Sequence, residues 1–327
     1  METIQVPIIG WIAFGVLVLG LLAVDLLAHR KKHGESKRSA MAWSAGWIAL
    51  GLSFSVFVWK MFGAQAAHEY LGAWLIEKSL SLDNLFVFLV IFRSLSVPED
   101  EQRRVLFWGI FGALLFRALF IFAGVEALEH WHAVVYVFGA ILLVTAIRVA
   151  FEDPARQRES SVVRWLSHRL PISASVDGPH FFTKQMGRRM ATPLLVALIA
   201  IEITDIAFAV DSVPAALAVT QKPFLVYTSN VFAILGLRAL YIALAHVISE
   251  LRYLHYGLAA VLAFAGLKMI VPDRWVHVPP LASALVVLVC IGTAVAASLW
   301  SRARKRRREQ KPKSPGPGEA GHREVPV

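Results

Sequence analysis

The chain has a single cysteine among 327 residues, Cys290, set inside an apolar run. One thiol excludes a disulfide framework, a cysteine-rich zinc or copper site and any Cys-x-x-Cys redox pair. Charge is scarce as well: 17% of residues are Asp, Glu, Lys or Arg, against 57% apolar, and mean hydropathy is +0.59. That balance leaves too little polar surface to cover a water-soluble domain and excludes a wholly soluble enzyme. Met1–Pro7 contains no Lys or Arg, and no small-residue cleavage site follows before Arg30, so the first apolar run reads as a retained helix and not as a cleaved signal.

What is present is apolar sequence in nine blocks, near 7–28, 41–62, 70–92, 105–125, 132–150, 192–219, 224–248, 256–272 and 277–300. Each is about 20 residues, enough to cross about 30 Å of hydrocarbon. The expectation is an all-α membrane protein: a polytopic domain over 1–300 with a cytoplasmic loop at 151–191, then a polybasic, disordered tail over 301–327. With the N-terminus outside and the C-terminus inside, 26 of the 33 Lys and Arg fall on the cytoplasmic side. Only Lys60, Lys222 and Arg274 fall outside, as the positive-inside rule requires.

The net charge of +10 is densest in Arg302–Arg308. A basic run directly after a last span reads as an anchor on anionic lipid and not as a nucleic-acid footprint. Within 151–191, Val162–Leu166 and Phe181-Phe182 suggest an amphipathic helix on the inner surface, and this loop and the tail are the places for protein partners.

The sequence also repeats itself. Phe111–Ile121 and Phe232–Ile242 share six of eleven residues, including Arg117 and Arg238. Tyr136–Arg148 aligns with Tyr256–Lys268, Asp83-Asn84 with Asp211-Ser212, and Glu77 with Asp205. Spans 3–5 and 6–8 are therefore two copies of one three-helix unit. An odd number of spans separates their starts, so they enter the membrane from opposite sides. Inverted repeats place a binding site near the midplane and expose it alternately, which favours a transporter.

Six acids fall within spans: Asp25, Glu77, Asp83, Glu202, Asp205 and Asp211. Each costs about 2.5–3.5 kcal/mol or more at a helix centre, so the group requires a partner, a water-filled cavity or a cation. Glu77, Ser81, Asn84 and Phe88 share one helical face, with Ser79 and Asp83 beside it. Pro214, lacking an N–H, frees the Val210 carbonyl beside Asp211 and predicts a helix break there. Glu77, Asp83, Asn84, Glu202, Asp205, Asp211 and Ser212 thus offer hard oxygen donors suited to Mn²⁺, Mg²⁺ or Ca²⁺. No histidine lies at a span centre, which argues against Zn²⁺ or Cu⁺. Arg117, Arg238 and Asp25 are gating or charge-balancing residues, and Lys78 and Lys268 are expected to snorkel outwards.

At these residues the chain resembles the TerC/Alx family of bacterial integral membrane proteins. The likeness lies in Glu77-x-Ser79-x-Ser81-x-Asp83-Asn84-x-Phe86-x-Phe88, in Arg117-Ala-x-Phe120 and in Glu202-x-x-Asp205-x-x-Phe208-Ala-x-Asp211-Ser212-x-Pro214-Ala215. It extends to Thr228-Ser229-Asn230 and Leu235–Tyr241, and runs from about Gly10 to Leu299. The resemblance implies a nine-helix, multi-pass protein of the bacterial inner membrane in the wider LysE-like transporter group, named for tellurium resistance or as a redox modulator. For several members it implies manganese export, with Glu77, Asp83, Glu202, Asp205 and Asp211 carrying the ion. The long 151–191 loop and the basic tail depart from that pattern.

The expected function is export of a hard divalent cation, Mn²⁺ as the transported substrate, with no organic cofactor and no catalysis. A second reading is a non-transporting scaffold in tellurite, metal or redox stress, or one that hands metal to secreted proteins. An intramembrane aspartyl protease built on Asp83 and Asp211 is disfavoured, since no Gly-x-Gly-Asp element is present.

Overall fold

The computed structural model describes residues 6–28, 37–151, 161–169, 171–173, 178, 180–185, 188–244, 253–272, 275–276 and 278–309. Ten helices and one small hairpin follow in order: α1 (Ile8–Ala28), α2 (Lys37–Ser94), α3 (Glu99–His130), α4 (Ala133–Phe151), α5 (Ser161–Arg169), β1 (Phe182–Gln185), β2 (Arg188–Ala191), α6 (Pro193–Leu217), α7 (Pro223–Ile234), α8 (Leu237–Leu244), α9 (Leu254–Ile270) and α10 (Pro280–Glu309). The protein is an all-α membrane protein. Among the described residues, six stretches are long and apolar enough to cross a bilayer: α1, α3, α4, α6, Pro223–Ala243 and the Pro280–Arg304 part of α10.

The apolar blocks map onto helices with three departures. The expected second and third spans join in α2, interrupted only at Gly63, where φ is 87°. The seventh span is broken at Gly236, φ 84°, into α7 and α8. The eighth is α9, only 17 residues long. Proline and charge set several starts. Pro193 and Pro223 occupy the first turns of α6 and α7, where a missing N–H costs nothing, and Glu99, Asp100 and Glu101 favour the N-terminal end of α3.

The interior is built from paired helices: α2 packs on α7, α3 on α6 and α4 on α9, while α10 covers α2 and α9. Small residues let α4 and α9 approach closely: a Cβ added to Gly266 would lie 2.9 Å from the Gly139 carbonyl. Trp11 and Phe14 tie α1 to this body through ring contacts with Phe224, Tyr227 and Phe232 of α7. Outward-facing Leu115, Leu119, Val144 and Ile147 are exposed, as lipid-facing positions are, and Trp59, Trp131, Trp275 and Trp300 are exposed near apolar ends where aromatic belts form.

The 151–191 segment holds more structure than one helix. Its amphipathic stretch is α5, with Val163 and Leu166 buried and Trp165 exposed. The antiparallel β1–β2 hairpin, with Phe182 opposite Ala191, was not foreshadowed by the sequence pattern. α10 continues through Glu309, so Arg302–Arg308 is helical and not disordered as expected. The expected disorder beyond it falls outside the described residues.

Candidate functional site

Three helices meet at Arg117, in the middle of α3 and 1% exposed. Its Nη1 donates to Glu77 of α2 and, at 2.9 Å, to Ser212 Oγ of α6. Nη2 donates to Asp205 Oδ1 at 3.0 Å, and Nε reaches Oδ2 of the same carboxylate at 3.4 Å. A planar fork of donors suits a carboxylate held at two points, so the guanidinium locks α2, α3 and α6 together. Glu77 is also 1% exposed, and its Oε2 has no hydrogen-bond partner among the described residues. One cation thus faces two buried carboxylates and leaves acceptor capacity unused.

The repeat-equivalent arginine is placed differently. Arg238, at the start of α8, bonds the Asp25 backbone carbonyl at 2.9 Å and pairs with Asp25 Oδ1 at 3.3 Å. The two arginines match in sequence and differ in partners: one spans two acids of the repeats, the other holds α1.

The remaining expected site residues divide among other contacts. Glu202, one turn before Asp205, lies against Gly112 of α3, where any Cβ would collide with its carboxylate; its Oε2 is buried without a hydrogen-bond partner among the described residues. Asp211 turns towards α4 and accepts a 2.7 Å bond from Thr145. Asn84 is buried. Asp83 lies within α2, and its side chain falls outside the described residues. No three His, Cys, Asp or Glu side chains converge as metal ligands among the described residues. The expected single cluster is therefore not assembled there: Arg117 stands between Glu77 and Asp205, and the helical phase of α6 sends Glu202 and Asp211 to other neighbours.

Two further expectations need correction. α6 runs through Pro214 to Leu217 without a break, because the proline sits in the last turn and removes one hydrogen bond that little helix lies beyond. The interruption lies instead at Gly236. Lys78 does not snorkel: its Nζ donates at 3.0 Å to the Ala233 carbonyl, close to the break. A carbonyl in a last helical turn lacks an intrahelical donor, which is what the ammonium supplies. A further buried acid, Glu69, stands just ahead of the third apolar block and outside the expected site. It accepts from Lys222 Nζ at 3.1 Å and Thr220 at 2.7 Å, tying α2 to the α6–α7 turn. A small cavity beside the hub is lined by Phe88, Gly109, Ile201, Asp205, Ile234 and Leu237, among others, and Asp205 is its ionisable wall.

Comparison with known proteins places the chain in a family. The chain matches the Integral membrane protein TerC family over residues 62–306. It is 44% identical over 306 residues to an uncharacterized membrane protein of Myxococcus xanthus, covering 91% of this chain and 95% of the relative. Alx of Salmonella typhi is 40% identical over 312 residues, with 92% and 96% covered. Alx of Escherichia coli K12 is 42% identical over 291 residues, with 85% and 90% covered. Both are named as candidate membrane-bound redox modulators. No solved structure matches the chain.

Proposed function

The chain belongs to the TerC family of integral membrane proteins, and from that premise we propose that it exports a hard divalent cation, Mn²⁺, across a bacterial inner membrane by alternating access. The observation that carries the reading is the buried hub in which Arg117 holds Glu77 and Asp205 while, among the described residues, one oxygen each of Glu77 and Glu202 has no hydrogen-bond partner. Ionisable side chains inside a membrane domain are expensive and mark ion pathways. In this reading Arg117 is a built-in counter-ion that a dehydrated cation displaces. Glu77, Asp83, Asn84, Glu202, Asp205, Asp211 and Ser212 supply its oxygen ligands along the path, and proton binding by the carboxylates or the membrane potential supplies the driving force.

The nine-span topology with N outside and C inside belongs to the same proposal. The two arms of α2 on either side of Gly63 cross separately, α7 and α8 cross as one interrupted span, and α9 is at the short end of spanning length at about 17 residues. The packing pattern supports an inverted repeat. Exchanging the units, the second arm of α2 with α6 and α3 with α7–α8, turns the α2–α7 contact into the α3–α6 contact and leaves α4 on α9. The unequal partners of Arg117 and Arg238 are what one of two alternating arrangements would display.

The relatives' name bears on redox balance, and Mn²⁺ is itself redox-active, so export of it is one route to such an effect. A scaffold role has support in α5 and the hairpin, whose β2 leads directly into α6. The two are separated by expressing Asp83→Asn and Asp211→Asn in cells challenged with manganese. We expect both variants to reach the membrane in normal amounts and to lose protection. Normal protection by both would remove the acidic residues from the pathway.

A further inference from the structure

Asn230 is a buried amide that the protein's own contacts do not explain. It lies in α7, 1% exposed, and neither Oδ1 nor Nδ2 has a hydrogen-bond partner among the described residues. An apolar side chain of similar size would fill the same space without leaving buried polar atoms unpaired, so the amide is a liability to folding alone.

Its position points towards the hub. Ile234, one turn further on the same face of α7, lines the cavity that Asp205 and Phe88 also line. On α2, Phe88 lies two turns beyond Ser81, which in turn lies one turn beyond Glu77. Ser81 is fully buried, and its Oγ, like Glu77 Oε2, lacks a hydrogen-bond partner among the described residues. α7 is pinned along α2 by Lys222 on Glu69 and by Lys78 on the Ala233 carbonyl, so Asn230 lies in the stretch between the two ties.

The repeat gives an independent line. Continuing the register of Phe111–Ile121 on Phe232–Ile242 back by two residues matches Asn230 with Gly109. Gly109 lines the cavity beside Asp205 and faces Ile201, and Asp205 is the repeat mate of Glu77. Under exchange of the two units Asn230 would lie beside Glu77, as Gly109 lies beside Asp205.

We propose that Asn230, with Ser81, supplies neutral oxygen ligands to the cation beside Glu77, making the substrate a dehydrated hard divalent ion held by one face of α2 and α7. The assignment rests on the transport reading. Neutral oxygens replace part of the ion's hydration shell without adding charge, which keeps binding favourable enough to enter and weak enough to leave.

The test uses the purified full chain in sealed vesicles with Mn²⁺ as the probe, comparing wild type, Asn230→Leu and Asn230→Asp. Because the amide has no hydrogen-bond partner among the described residues, Asn230→Leu should melt at or above the wild-type temperature while its KM for Mn²⁺ rises about tenfold or more, the size of one lost bond to a charged group. Asn230→Asp should move the other way, with lower KM and lower kcat, as an added carboxylate holds the ion too long. An Asn230→Leu protein with wild-type KM overturns the assignment, and should that variant fail to reach the membrane, an unchanged KM in Asn230→Asp does so. Wild-type protein that moves no divalent cation overturns the transport reading and this assignment together; wild-type flux beside an indifferent Asn230→Leu overturns the assignment alone.

Discussion

Removing the Arg117 guanidinium leaves Glu77 and Asp205 buried on facing helices with no counter-charge between them. Breaking a buried ion pair from one side costs about 3–5 kcal/mol, so Arg117→Ala should lose that much stability, read as a lower melting temperature of the purified protein. Arg117→Lys should recover only part of it, because one ammonium cannot reproduce the fork on Asp205 and still reach Glu77. Added Mn²⁺ should raise the melting temperature of Arg117→Ala more than that of wild type, since the cation no longer competes with the arginine. An alanine variant within about 1 kcal/mol of wild type would contradict the picture of Arg117 as the counter-ion of this site. That the buried acids need a cation beside them was legible, because each is too costly in a membrane to stand alone; that Arg117 takes both Glu77 and Asp205 while Arg238 takes Asp25 was not. That Asp211 turns to Thr145 was not legible, because a helix's rotation about its axis is set by its neighbours and not by its own pattern.

At the scale of the helix, Gly236 decides where the α7–α8 span breaks. Its φ of 84° disfavours any Cβ, and an added Cβ would sit 2.5 Å from Trp47 of α2. Gly236→Ala should therefore destabilise by about 2–4 kcal/mol, the sum of a left-handed backbone cost and overpacking. Gly292→Ala in α10, with nothing within 4 Å of its would-be Cβ, should shift stability by under about 1 kcal/mol. Equal melting shifts for the two variants would show that the glycine break is not required. The sequence drew attention to Pro214, the residue with the stronger chemical reason to break a helix. The structure places the break at a glycine because Pro214 stands in a last turn, whereas Leu235-Gly236-Leu237 interrupts helix on both sides. The helical character of the apolar blocks was readable from length and hydropathy. The β1–β2 hairpin was not, since Phe182–Gln185 and Arg188–Ala191 are too short to show a period of two.

For the molecule as a whole, the pairings α2–α7, α3–α6 and α4–α9 interconvert under exchange of the two units, while Arg117 and Arg238 break that symmetry through their partners. Under the proposed inverted repeat, a nearly symmetric body with an asymmetric ion-pair arrangement would have two equivalent ways to close, as alternating access requires. In the proposed function the cargo is a hard divalent ion, because the candidate donors are oxygens and the sequence has no thiol pair and no midspan histidine. The decisive measurement is uptake of Mn²⁺, Mg²⁺, Ca²⁺ and Zn²⁺ by the purified protein in sealed vesicles, under an imposed proton gradient or potential, for wild type and Asp211→Asn. The account predicts saturable Mn²⁺ flux in the wild type that is lost in the variant; no flux of any of these ions in the wild type, with the protein folded and inserted, would contradict it.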